Sequence, residues 1–172
     1  AKSILSSFSC PLNPDVEHFL KHTAIEFAKQ SIASTYLIMA SHKEEYVLVG
    51  YFSLANKIFC IDKDGLPNQR WKKRLSKFCQ FDKNIQRYTI SAPLIGQLGK
   101  NYTHSYNKLI TGDELLKLAL DKVKAMQEIV GGKIVYLECE EKEALLEFYS
   151  RNGFVNFGSR TLDRDETDKL SG

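Results

Sequence analysis

Closely spaced cysteines are missing from this chain. Its four, Cys10, Cys60, Cys79 and Cys139, stand far apart with no Cys-x-x-Cys. Zinc sites usually use paired ligands and small secreted frameworks carry denser cysteines, so the spacing reads as four reduced thiols in a cytoplasmic protein. Long apolar runs are also missing. The longest uncharged stretches, around Ser31–Ser41 and from Tyr46 onward, are too short or too polar to cross a bilayer. No basic region leads into a long apolar segment at the start, so no signal peptide is expected and no membrane association. There is no repeat, low-complexity tract or Pro/Gly/Ser linker, and net charge is only +3. What is present is average for a soluble globular protein: 43% hydrophobic and 26% charged residues over 172 positions. That length suits one domain, residues 1–172, able to bury about 70% of the surface of its unfolded chain without disulfide or metal.

The charge is unevenly spread. Pro67–Tyr88 holds Arg70, Lys72, Lys73, Arg74, Lys77, Lys83 and Arg87 against Asp82 alone, a net +6 that leaves the rest of the chain at −3. Trp71, Phe78, Phe81 and Tyr88 are interleaved with these cations, a composition suited to RNA contact. An amphipathic helix with solvated lysines has the same composition. Arg70, Lys72, Lys73, Arg74 and Lys77 are the RNA-contact candidates.

Asn13-Pro14-Asp15 reads as a helix start, with a capping Asn, Pro at the first helical position and an acid in the first turn. Val16, Phe19, Leu20, Ala24 and Phe27 follow at helical spacing. Two β-rich runs, Ser34–Ser41 and Tyr46–Ala55, flank a charged turn and predict a hairpin, with Lys57–Asp62 extending the β region. Thr89–Leu98 predicts a strand in which Gly96 and Gly99 mark a bulge or a close approach to the backbone. After an irregular Lys100–Thr111 come a helix from about Asp113 to Glu128, a strand Lys133–Cys139, a helix Glu141–Arg151 and a strand starting at Gly153–Ser159. Thr161–Gly172 is charged and expected to be loose. The order predicts an α/β fold with a mixed, mostly antiparallel twisted sheet flanked by helices.

A strand, a loop and then a helix N-terminus can hold a pyrophosphate on free backbone N–H groups. The candidate loop is Asn107-Lys108-Leu109-Ile110-Thr111-Gly112, followed by Asp113. An ordinary capped helix start has the same pattern. His18 and His22 are four residues apart on one helix face, but Phe19 stands where a His-Glu-x-x-His site needs Glu, and no metal is expected.

Tyr149-Ser150-Arg151-Asn152-Gly153-Phe154 after a short helix, preceded by the KIVYLEC strand, resembles the end of the GCN5-related N-acetyltransferase domain. Phe8-Ser9-Cys10, the helix around Phe19–Ala24, Thr35-Tyr36, Val49–Leu54 and the basic Leu66-Pro67 segment resemble the branch that contains the acetyltransferase toxins of toxin–antitoxin pairs. The resemblance runs from Phe8 to about Ser159. It implies the acyl-CoA N-acyltransferase fold, with central strands splayed around acetyl-CoA. It also implies that the backbone at Gln97, Leu98, Gly99 and Lys100 binds the pantetheine arm, and that Asn107 to Gly112, a departure from Gln/Arg-x-x-Gly-x-Gly/Ala at Asn107 and Ile110, cradles the pyrophosphate.

By the same resemblance Tyr149 protonates the leaving CoA thiolate, the acceptor is the α-amine of an aminoacyl-tRNA, and the partners are that RNA and an antitoxin protein. A small amine or a protein amine competes as acceptor. A homodimer is left open. Glu138 and Glu140 are the candidates for a general base, and ordinary solvated carboxylates are the alternative. A non-catalytic module binding RNA or a partner through Pro67–Tyr88 is the competing class. The family sheet ends in one further strand, which the composition of Thr161–Gly172 does not supply.

Overall fold

The computed structural model describes residues 2–159; the expectation for Thr161–Gly172 lies outside them. The chain opens with a short helix, Lys2–Ser6 (α1). Asn13 then caps Pro14–His18 (α2), its side chain accepting from the Val16 amide. The predicted helix runs on, but through a π-helical turn at Phe19–Thr23 before Ala24–Lys29 (α3). Val16, Phe19, Leu20 and Ala24 are buried along it as their spacing predicts.

Ser34–His42 (β1) and Glu45–Asp62 (β2) form the hairpin. The two runs expected within β2 are one strand, because Asn56 and Lys57 keep their ladder pairs with Pro93 and Ala92 of Arg87–Lys100 (β4). Between them come Gln69–Leu75 (α4) and the short Gln80–Asp82 (β3). The sheet order is β1-β2-β4-β3, all antiparallel, and Tyr136–Leu137 (β5) adds to β4 in parallel. The crossover to β5 is made by Gly112–Val130 (α5), and Glu143–Arg151 (α6) follows it.

Two expectations about strands are corrected. The strand expected at Lys133–Cys139 is paired only at Tyr136 and Leu137, and Gly153–Ser159 pairs with nothing in the described sheet. Side chains hold that last segment instead: Phe154 packs on Tyr149 and Phe157 on Phe59.

Helices cover both faces of the sheet's central part. On one face Leu5, Phe8, Val16, Leu20 and Tyr51 pack together under α1–α3. On the other Val49, Phe52, Ile95, Leu115 and Leu116 pack under α5. This double cover explains the unbroken buried run Leu48–Leu54, which a one-sided strand would interrupt at every second residue. Beyond it, Ile61, Leu66, Leu75, Tyr88 and Ile90 form a third cluster under α4.

Candidate active site at the parting of two strands

β4 and β5 pair at Leu94 with Tyr136 and at Ile95 with Leu137, and the pairing ends there. β4 continues to Lys100, bonded on its other side to β2. The backbone from Gly96 to Lys100 thus has one edge in the sheet and one edge facing an opening. At the same place the β2–β4 register slips between Ser53 and Leu54, whose partners are Gln97 and Ile95, so Gly96 is the extra residue of a bulge. The expected bulge and the expected splay are both present. Gly99 has a different reason to be glycine. A Cβ there would stand 2.4 Å from Val16 Cγ1, so the close approach is that of α2.

The segment after β4 is tied down by a residue the sequence did not single out. Asn101 is 1% exposed. Its Oδ1 accepts from the Ser9 amide at 3.0 Å and the Thr103 amide at 3.1 Å, and its Nδ2 donates to Leu48 O at 2.9 Å. A lone Asn after a strand reads as a turn residue, so its spatial role left no sequence signal. Beyond it Thr103–Leu109 forms 3₁₀ turns in which His104 and Ser105 have φ of 50° and 62°, left-handed values uncommon outside glycine. Lys100 Nζ donates to Asn107 O at 3.1 Å, tying the strand end to the candidate loop.

Ile110 is buried and extended, with φ −147°, so the loop asks nothing unfavourable of a β-branched residue. Lys108 and Leu109 are exposed. Thr111 caps α5 in a capping box. Its hydroxyl accepts from the Glu114 amide at 3.1 Å while Glu114 Oε2 accepts from the Thr111 amide at 2.7 Å. The Thr111 backbone and hydroxyl hold the Glu114 carboxyl below the usual range. Asp113 turns to α6, accepting from Asn152 Nδ2 at 2.8 Å and Arg151 at 3.1 Å, and these two hold its carboxyl low as well. Gly112 lies against Phe148, whose Cε2 would be 3.2 Å from a Cβ there. The helix N-terminus expected to receive a pyrophosphate thus carries two carboxylates, one of them on the Thr111 N–H.

Tyr149 is on α6, in the core cluster that also holds Leu98 of β4, Ile110 and Leu137 of β5, and in edge contact with Phe148 and Phe154. Among the described residues its hydroxyl has no hydrogen-bond partner. Burial, with a smaller contribution from the Cys139 thiol nearby, pushes its pKa up to about 12, so it carries its proton at any physiological pH. Glu140 is ion-paired with Lys142. Glu138 follows directly where β5 ends.

The basic segment divides. Arg70, Lys73, Arg74 and Lys77 line a depression of about 500 Å³ together with Phe78 and Lys133, which arrives from beyond α5 and lies 5.7 Å from the Phe78 ring centre. Lys72 points elsewhere, toward Asp64 at 3.9 Å. Of the interleaved aromatics only Phe78 is strongly exposed. Trp71, Phe81 and Tyr88 belong to the third core cluster, with Arg74 stacked 5.3 Å from the Trp71 ring centre. No group of metal-ligating side chains is found among the described residues, where the His18 and His22 ring centres lie 4.7 Å apart with the rings tilted by 38°. No helix among them is long and apolar enough to cross a membrane.

No family model and no curated protein matches the sequence. Solved structures do match in shape. AtaT complexed with acetyl-methionyl-tRNAfMet superposes with a TM-score of 0.66 at 18% identity, over 98% of this chain and 92% of that one. A mutant of KacT gives 0.66 at 17% identity, over 99% and 95%. AtaTR bound with AcCoA gives 0.60 at 19% identity, over 94% and 81%. The expected fold, a mixed, mostly antiparallel sheet flanked by helices, is thereby borne out and is shared with these structures.

Proposed function

We propose that this chain is an N-acetyltransferase that moves the acetyl group of acetyl-CoA to a primary amine, the α-amine of an aminoacyl-tRNA. The observation that carries the reading is the parting of β4 from β5 beyond Ile95 and Leu137, which frees one backbone edge of Gly96–Lys100, with Leu98 of that edge in the core cluster that holds Tyr149. A free strand edge offers N–H and C=O groups in register, which suits the amides of a pantetheine arm. The fold shared with AtaT in its acetyl-methionyl-tRNAfMet complex and with AtaTR bound to AcCoA supports both substrates.

The donor set fits acetyl-CoA along the strand and less well at the helix end. Gln97 to Lys100 supply the edge, and Lys100 and Lys108 supply positive charge. At α5 the Glu114 carboxylate sits on the Thr111 N–H and must turn away for a pyrophosphate to take its place.

In the reaction the amine nitrogen bonds to the acetyl carbon, the C–S bond breaks, the amine gives up a proton and the CoA sulfur gains one. Tyr149 holds the donor hydrogen for that sulfur. Burial keeps the phenol protonated until the C–S bond breaks; the developing thiolate then takes the Tyr149 proton, and a proton the amine has shed to water restores the phenol. The α-amine, ordinarily titrating near about 8, is partly neutral at physiological pH without a strong base. Arg70, Lys73, Arg74, Lys77 and Lys133, with exposed Phe78, are the proposed contacts to RNA phosphate and base. An antitoxin partner is proposed on the likeness to AtaT bound to the C-terminus of AtaR.

The second reading is a non-catalytic module that binds RNA or a partner, favoured by the capping box across the α5 N-terminus. Incubation with labelled acetyl-CoA and bulk aminoacyl-tRNA separates the two. Label joined to the amino acid through an amide supports the transferase, and no transfer to aminoacyl-tRNA or any amine supports the module.

A further inference from the structure

We propose that Asp15, seated against Gln97, is the residue that receives the acceptor amine, on the sheet face opposite Tyr149; the assignment rests on the transferase reading above. Side chains alternate along β4 past the bulge. Leu98 enters the core that holds Tyr149, whereas Gln97 turns to the α2 side, where its Nε2 donates to Asp15 Oδ2 at 3.4 Å. Gly99 follows on that same side, and its missing side chain lets Val16 of α2 close onto the strand. Asp15 is thereby held at Gln97, in the part of β4 that lies beyond its last pair with β5. The two faces differ in kind: one holds the phenol and the α5 N-terminus, the other a carboxylate and an amide.

The charge around Asp15 selects its ligand. Glu17, two residues on, is already committed: it pairs with Lys21 at 2.6 Å and accepts the Cys10 amide at 2.8 Å. Asp15 has no ion pair among the described residues. A half-buried carboxylate without a cation, hydrogen-bonded to a primary amide, is a receptor for an ammonium group. An α-amino group is mostly cationic at neutral pH, so it arrives in the form that Asp15 attracts, and it sheds one proton to water before its nitrogen attacks the acetyl carbon. Gln97 spends its N–H on Asp15 and keeps Oε1 as an acceptor for a second N–H of the same amine. An alcohol has neither the charge nor the second N–H, so this pair favours amines as acceptors. A thioester held on the Tyr149 side would meet the amine across the opening.

The test uses the full chain, labelled acetyl-CoA and bulk aminoacyl-tRNA as acceptor. Asp15→Asn is nearly isosteric and is compared with wild type only if it melts within a few degrees. KM for aminoacyl-tRNA should rise about tenfold, the scale of one lost partly buried charge pair, while kcat changes little and acetyl-CoA affinity stays the same. Asp15→Glu restores the charge and should recover most of the KM. An unchanged KM in Asp15→Asn, or a Glu variant as poor as the Asn variant, overturns the assignment. If wild type transfers acetyl to no amine, the transferase reading falls and this assignment with it. An active wild type with an indifferent Asp15→Asn removes the assignment alone.

Discussion

Replacing Asn101 with Ala should destabilise the protein more than any substitution on the candidate loop itself. The change removes three hydrogen bonds, from Ser9 N at 3.0 Å, from Thr103 N at 3.1 Å and to Leu48 O at 2.9 Å, at a position 1% exposed. The Asn101 amide keeps its own bond to Val49 O at 2.8 Å, so the strand end survives. At about 1 kcal/mol net for each neutral bond, the loss is about 3 kcal/mol, and more if water cannot reach the stranded groups. For a chain of this length that is a fall of roughly 6–12 °C in Tm. Urea unfolding followed by circular dichroism measures it.

The loss has a functional side, because the same bonds fix Thr103 at the head of the turns that lead to α5. Acetyl-CoA affinity should fall as well. Asn101→Asp keeps the acceptor oxygen but sets a carboxylate oxygen against Leu48 O. It should therefore be destabilised at neutral pH and partly recover as the pH falls and the acid gains the proton it needs to donate. A loss under about 1 kcal/mol for Asn101→Ala would refute the view that this side chain holds the two segments together.

Gly99→Ala puts a methyl group where Val16 Cγ1 lies 2.4 Å away, and should cost about 1–3 kcal/mol of stability by overpacking, read from the same urea curves. Tyr149→Phe keeps the ring contacts and removes only the donor hydrogen; kcat should fall about 10²-fold with acetyl-CoA affinity unchanged, in steady-state assays alongside calorimetry. Lys73→Glu with Lys77→Glu should weaken aminoacyl-tRNA acetylation and flatten its salt dependence, whereas Lys72→Glu, which faces Asp64, should do much less; a salt series on the three proteins decides it.

How much of this was legible in the sequence depended on how local each signal is. Asn13-Pro14 and the spacing of Val16, Phe19, Leu20 and Ala24 act within a few turns, and the helix forms as predicted apart from the π-turn. Thr111, Gly112 and the paired Leu115 and Leu116 likewise announce α5. Strand length was less legible, because it depends on the partner. Asn56 and Lys57 look like a break, yet β4 lies opposite them and the ladder continues. Conversely Lys133–Cys139 has strand composition throughout, but the chains diverge after Leu137 and leave only two pairs. In the candidate site, the roles expected of Tyr149 and the β4 edge come from a resemblance to a family. The capping box that sets Glu114 on the candidate loop, the burial of Asn101, the approach of Asp15 to Gln97 and the joining of Lys133 to the basic segment are contacts between distant elements, and no spacing rule encodes them.

The proposed function requires acetyl-CoA to bind along the free edge of β4 with its pyrophosphate on the backbone at the start of α5. Isothermal titration of wild type and Gly112→Pro with acetyl-CoA tests it most directly. Gly112 is the first residue of α5, a position where helices accept proline, and the change removes one backbone N–H; a Cβ there meets only the Phe148 ring. Micromolar binding by wild type, lost in Gly112→Pro while Lys108→Ala binds nearly as well, is the predicted result. No heat of binding at millimolar acetyl-CoA, or equal losses in the two variants, would contradict it.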